Sequence, residues 1–199
     1  MDIVDLFPTP VGISKLKRDL NDEEIKIIEV LKKDTHINWS KGNLVTHNKR
    51  VLDIPELGDL KNIISSAINQ YFTNVFKPTT DMELYITQSW INVTHNGFGH
   101  PLHSHGNSLL SCVFYIDVDE RDMIQFSNHN NILGSISLLT GTPHLKVFKN
   151  CMVIFPSTLK HAVPQRPDNS NGVRVSLSLN TWFRGKVGNA NTMTELECL

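Results

Sequence analysis

Beyond Pro78 the chain is cut into short apolar bursts bounded by Gly, Asn, Asp and Pro, and this limits its fold more than any other feature. Such bursts are too short for packed helices and read as β-strands. The pattern predicts strands near 82–94, 108–118, 122–127, 133–139, 143–148, 151–155 and 172–182. Residues two apart on a strand share a face, and two of these strands divide sharply by that parity. Over 108–118, Leu110, Cys112, Phe114, Ile116 and Val118 form an apolar face against the mixed Ser111, Val113, Tyr115 and Asp117. Over 174–180, Val175, Leu177 and Leu179 oppose Arg174, Ser176, Ser178 and Asn180. The apolar faces require a covering layer. The polar faces meet either solvent or a cavity, and parity alone leaves that choice open.

The N-terminal third supplies the cover. Asn21 or Asp22 can cap a helix from about 22 to 34, with Ile25, Ile27, Ile28, Val30 and Leu31 as its apolar stripe. A second helix is expected over roughly 56–76, where Leu57, Leu60, Ile63, Ile64, Ala67, Ile68, Tyr71 and Phe72 recur at helical spacing. Residues 1–19 read as an extended arm turned by FPTP at 7–10, and a polar stretch joins the helices up to about 53. The expected fold is mostly β with N-terminal helices: a double-stranded β-helix (jelly roll, cupin-like) with two helices packed on one sheet. At 199 residues, 1–199 suits a single domain with one core. Its parts would be an arm and supporting helices over 1–80, a jelly-roll core over 81–183 and a tail over 184–199.

Composition excludes several classes. The formal net charge of -1 gives no strong signal for nucleic acid or an anionic membrane. The three cysteines, Cys112, Cys151 and Cys198, form no CxxC pair, which disfavours a disulfide framework or a thiolate zinc site. MDIVDLFPTP lacks the basic and apolar segments of a signal peptide, and no apolar run approaches a membrane span. A cytoplasmic protein is expected. The sequons at Asn38 and Asn92 then read as incidental.

The histidines tip the balance toward a cavity. GFGHPLHSHGNSLLSCVFYI carries His100, His103 and His105 ahead of an apolar strand, and His161 follows CMVIFP and a short turn. His103 and His105 can project from one face at the strand entrance. A histidine from a distant strand end is what a metal site at a barrel mouth needs. The bland alternative is a set of loop histidines, hydrogen-bonded or solvated. Arg174 lies thirteen residues after His161 with Ser176 two further on. Guanidinium and hydroxyl could grip one end of an anion whose other end chelates the metal. The alternative for Arg174 is a surface ion pair.

At these residues the chain resembles the 2-oxoglutarate/Fe(II)-dependent dioxygenases. That superfamily sets an HxD or HxE pair, a distal His, and an Arg or Lys about ten to fourteen residues later on a double-stranded β-helix. The counterparts are His103 and His105, then His161, then Arg174, and Arg174-Val175-Ser176 matches an R-x-S that several members use for 2-oxoglutarate. More narrowly, the chain resembles uncharacterised oxygenases of marine bacteria and their phages. The shared features are the opening FPTP, the W-x-N of Trp90 and Asn92, HxH followed by NSxxSxVxY, and a late FPSxLxH. His105 stands where the family usually has a carboxylate, although three-histidine iron sites occur in cupin-type thiol dioxygenases.

The resemblance implies Fe(II) held by His103, His105 and His161, with His100 as an alternative ligand. It implies 2-oxoglutarate clamped by Arg174 and Ser176, with Tyr115 or Ser111 adding a hydrogen bond, and O2 as oxidant. Hydroxylation of an unidentified small molecule or peptide, releasing succinate and CO2, is the expected outcome. Trp90 and Asn92 either touch that substrate or pack in the core. Two other readings compete: a cupin-like three-histidine metalloenzyme working without 2-oxoglutarate, and a non-catalytic jelly-roll binding module. The arm and the tail could each reach a neighbouring subunit, which would make a homodimer.

Overall fold

The computed structural model describes residues 1–2, 8–38, 42–127, 143–188 and 191–196. The expected strand at 133–139 lies outside them, as does Cys198.

Two antiparallel sheets carry the strands. The larger runs β1 (Gly12–Lys15), β9 (Cys151–Pro156), β6 (Leu110–Asp117), β11 (Arg174–Val187), β4 (Met82–Thr94), β3 (Leu44–Thr46) and β2 (Thr35–Ile37), with β12 (Thr194–Leu196) also paired to β11. The smaller runs β5 (His100–His103), β10 (Lys160–Val163), β7 (Met123–Ser127) and β8 (His144–Lys146). The chain is mostly β and adopts the expected jelly roll, the cavity lying between the sheets.

The predicted parity places the core. Leu110, Cys112, Phe114, Ile116, Val175, Leu177 and Leu179 share one cluster with Leu60, Ile64, Ile68 and Phe72 of α2 (Gly58–Phe76). Ile28 and Leu31 of α1 (Asp22–Leu31) join the same cluster, α1 reaching it beside the 3-10 turn at Pro55–Leu57. Tyr115 and Val113, of opposite parity, pack with Ile124, Phe126, Val153 and Phe155 between the sheets. Val118 departs from the expectation: it lies past the end of β6, where strand parity no longer applies, and packs on this second cluster.

Local chemistry sets the helix ends. Asn21 caps α1 by accepting from the Glu24 backbone N–H at 2.8 Å, while the Glu24 carboxylate accepts from Asn21 N–H at 2.8 Å. Glu24 is fully buried and also takes two hydrogen bonds from Arg18, at 2.6 and 2.7 Å. Burial alone would raise this carboxyl. The Arg18 and Asn21 hydrogen bonds outweigh it and hold the group below its ordinary value. α1 stops at Leu31, short of the expected 34, because β-branched Thr35 and Ile37 pair with β3 instead. Lys77 closes α2 in the left-handed region (φ 47°), just before Pro78.

Three stretches carry more order than expected. The polar stretch before residue 53 holds the β2–β3 hairpin at the edge of the large sheet. The arm contributes β1, paired along β9, and the tail contributes β12, paired to β11 from Gly185 to Val187. The described parts of arm and tail therefore pair within their own chain. No helix among the described residues is long and apolar enough to cross a membrane.

Candidate metal centre and anion pocket

The small sheet brings the histidines together. In the β5–β10 pairing His161 stands directly opposite His103. Their ring centroids are 4.2 Å apart, and His105 lies 5.1 Å from His103 and 5.3 Å from His161. One ligand atom from each of the three rings falls within 4.8 Å of the others, the signature of a group able to hold a metal. His103 ends its own strand and His105 follows in the connecting segment, so neither belongs to the strand at 108–118. The backbone fixes His105 through its N–H, which donates to Ser157 O at 2.9 Å. Gly99, just before β5, is required by close approach: a Cβ there would lie 2.6 Å from Val163 O.

Hydrogen bonding decides which nitrogens are free. Nδ1 of His103 meets Pro101 O at 2.8 Å, Nδ1 of His161 meets Leu159 O at 3.0 Å, and Nδ1 of His105 meets Asn180 Oδ1 at 2.7 Å. Each partner is an acceptor, so each Nδ1 carries the proton and each Nε2 keeps a bare lone pair. Metal-bound histidines are oriented in this way. Burial pushes His161 down to about 3, and Phe155 packs edge-on against its ring at 4.7 Å. His105 is also lowered by burial, partly offset by the bond to Asn180. Both rings are therefore neutral donors at ordinary pH. Three imidazole nitrogens suit a divalent transition metal such as iron, nickel or zinc better than an oxygen-seeking ion such as magnesium.

Behind His105 runs a hydrogen-bonded chain. Asn180 Oδ1 also accepts from Ser111 Oγ at 3.0 Å, and Ser157 Oγ joins Ser111 and Ser108 at 2.8 Å each. Ser111 also lines the cavity, with its hydroxyl proton given to Asn180. Asn180 was legible only as a polar residue of the right parity. His100 lies outside the three-histidine group, stacked on His103 at 4.2 Å.

The cavity is lined by the polar face of β11, through Arg174, Ser176 and Ser178, and by Trp90, Asn92, Tyr115 and the histidines. It measures ≈ 540 Å³ including its open mouth, a size suited to small-molecule groups. Arg174 is only 3% exposed. It donates to Met123 O at 2.9 Å and to the Tyr115 hydroxyl at 3.4 Å, and its Nε has no partner. No carboxylate among the described residues pairs with it. Burial pushes Tyr115 up to about 12, against the opposing pull of Arg174, so it remains a phenol. Ser176 pairs with Tyr115 on one side and Asn92 on the other. Trp90 is half-buried on the cavity wall, and its indole N–H donates to Asn92 Oδ1 at 3.3 Å. Asn92 also accepts from Asn43 at 2.6 Å and donates to Ser178 at 2.9 Å. Asn43 and Thr94, neither singled out from the sequence, complete this wall.

Residues 88–180, from β4 to the Asn180 position, match a sequence family described as "Putative 2OG-Fe(II) oxygenase". Over these residues the chain is similar to the 2OG-Fe(II) oxygenases. No curated protein matches the chain. Solved structures do. HygX from Streptomyces hygroscopicus, with nickel and 2-oxoglutarate bound, aligns at TM-score 0.61 and 10% identity, over 87% of this chain and 82% of that one. A Pseudomonas putida prolyl-4-hydroxylase aligns at TM-score 0.56 and 10% identity, over 88% and 92%. The non-heme alpha ketoglutarate dependent epimerase SnoN, from nogalamycin biosynthesis, aligns at 0.60 and 12%, over 87% and 78%. At such identities these likenesses speak for the oxygenase fold.

Proposed function

We propose that the protein is a 2-oxoglutarate- and Fe(II)-dependent oxygenase that hydroxylates an organic substrate and releases succinate and CO2. His103, His105 and His161 hold the metal through Nε2. Arg174, assisted by Ser176 and the Tyr115 phenol, holds the distal carboxylate of 2-oxoglutarate. Asn180 keeps His105 in the tautomer that ligates. When bound, iron and 2-oxoglutarate together supply the activation of O2. The chain's own part is to orient both against a substrate lying along Trp90 and Asn92, and to limit water in the cavity.

The observation that carries this reading is Arg174. A guanidinium almost wholly buried, with one nitrogen orphaned and no carboxylate among the described residues paired with it, is costly to leave alone. A dicarboxylate entering the cavity supplies the missing counter-ion and bidentate partner. Anaerobic calorimetry of the Fe(II)-loaded protein tests it. Arg174→Ala should weaken 2-oxoglutarate at least about tenfold while metal content stays at the parent level. Equal 2-oxoglutarate affinity in the two proteins would refute the assigned role.

The all-imidazole ligand set favours one competing reading, a cupin-like oxidation in which Arg174 grips the substrate's own carboxylate. Succinate formed from 2-oxoglutarate in the absence of substrate separates the two, since only the first predicts it. Epimerisation rather than hydroxylation, the chemistry named for SnoN, is a further outcome on the same fold. Product analysis distinguishes it once a substrate is in hand.

A further inference from the structure

The net charge of the loaded cavity has no use in the scheme above. None of the described residues lining it is Asp or Glu. The sequence is organised to that end: no acidic residue falls between Glu83 and Asp117, between Asp122 and Asp168, or between Asp168 and Glu195. Among the acids in the turn after β6, Asp119 is paired with Arg121 and Asp122 with Arg166. The Nδ1–H tautomers make the three imidazoles neutral ligands, and Tyr115 is a neutral phenol. A divalent metal and Arg174 bring three positive charges, and 2-oxoglutarate brings two negative ones. One positive charge is left over in a largely buried site. In the usual ligand set a carboxylate cancels it; here His105 occupies that place.

We propose that the substrate is an anion, presenting a carboxylate or similar oxyanion that balances the positive charge an all-imidazole site retains with 2-oxoglutarate bound. The inference rests on the oxygenase reading and adds the substrate's class. Charges a few ångströms apart in a partly buried site interact more strongly than in bulk water, so a neutral or cationic substrate would leave the imbalance standing or worsen it. The wall also offers a donor. His100 lines the cavity half-buried, stacked on His103, and neither ring nitrogen hydrogen-bonds to a described residue. Its ring presents an N–H, which suits an oxyanion beside the metal.

Acetate and acetamide have nearly the same size and shape and differ by one charge, which makes them suitable probes. Protein loaded with Ni(II) and saturating 2-oxoglutarate is titrated with each by calorimetry at matched ionic strength. Acetate should bind at least about tenfold more tightly, since one unbalanced charge a few ångströms away is worth that much even with substantial screening. His105→Glu, which restores a neutral centre, should remove most of the acetate preference and leave acetamide unchanged. If that variant fails to hold nickel, Asn180→Asp places an anion against the His105 ring and should shrink the preference in the same direction. His100→Phe should weaken acetate and spare 2-oxoglutarate. Loading is measured first, so failure to take up nickel or 2-oxoglutarate counts against the oxygenase reading itself. Loading followed by equal binding of the two probes, or by binding of neither, overturns the anion proposal. So does a preference that survives unchanged in the charge-restoring variant.

Discussion

Replacing Asn180 with leucine tests whether the metal centre is built by its supporting hydrogen bonds as well as by its ligands. Asn180 is 4% exposed, and its Oδ1 is the acceptor for His105 Nδ1 at 2.7 Å and for Ser111 Oγ at 3.0 Å. Leucine keeps the branched outline, with bulkier methyl groups, and removes that acceptor. His105 is then free to place its proton on either nitrogen and to rotate, so part of the population no longer offers Nε2. Loss of such a supporting partner costs about 10–100-fold in metal affinity, or about 1.4–2.8 kcal/mol. The assay is competition for Ni(II) against a chelator of known strength, with thermal unfolding of the metal-free protein measured in parallel. The unfolding arm matters because the His105 N–H loses its acceptor, at about 1–3 kcal/mol, while Ser111 keeps Ser157 as a partner, and the fold must be shown intact at the assay temperature. Asn180→Asp is the control: it keeps the acceptor, makes the imidazole a stronger donor to the metal, and should bind Ni(II) at least as tightly as the parent. Nickel affinity in a folded Asn180→Leu protein within twofold of the parent would refute the argument.

Other outcomes follow from the same structure. His161→Ala removes the ligand that the β5–β10 pairing sets opposite His103, and metal content after anaerobic reconstitution should fall to background. Leu177→Ala should destabilise the fold by about 2–4 kcal/mol in urea melts, because Leu177 is fully buried in the cluster under α2. Ser178→Ala, on the cavity face one residue away, should cost about 1 kcal/mol, the worth of its bond from Asn92; equal costs at the two positions would contradict the face assignment. Because the Glu24 carboxyl is held below its ordinary value, its contribution is present above that value and fades as pH falls through the folded one. Glu24→Gln should therefore lose about 1–2 kcal/mol at neutral pH and show a flatter stability curve on acidification than the parent, read by thermal melts across that range.

The amino-acid sequence by itself determined which faces of the strands are wet and which are dry. Alternation in β6 and β11 separates Leu177 and its neighbours from Arg174, Ser176, Ser178 and Asn180, because side-chain direction along a strand is a local consequence of backbone geometry. Helix periodicity in α1 and α2, and the Asn21–Glu24 capping box, are local in the same sense. What the polar faces look upon is not local. That Ser111 braces Asn180, that Asn180 fixes the His105 tautomer, and that Asn43 reaches across from an edge hairpin to Asn92 all depend on contacts between residues far apart in the chain. The histidines show the division most clearly. His103 and His161 were legible as candidates, yet the strands that carry them, β5 and β10, are too short and too polar to announce themselves. They form because each finds a partner in the small sheet, and pairing between distant segments is a property of the tertiary structure alone.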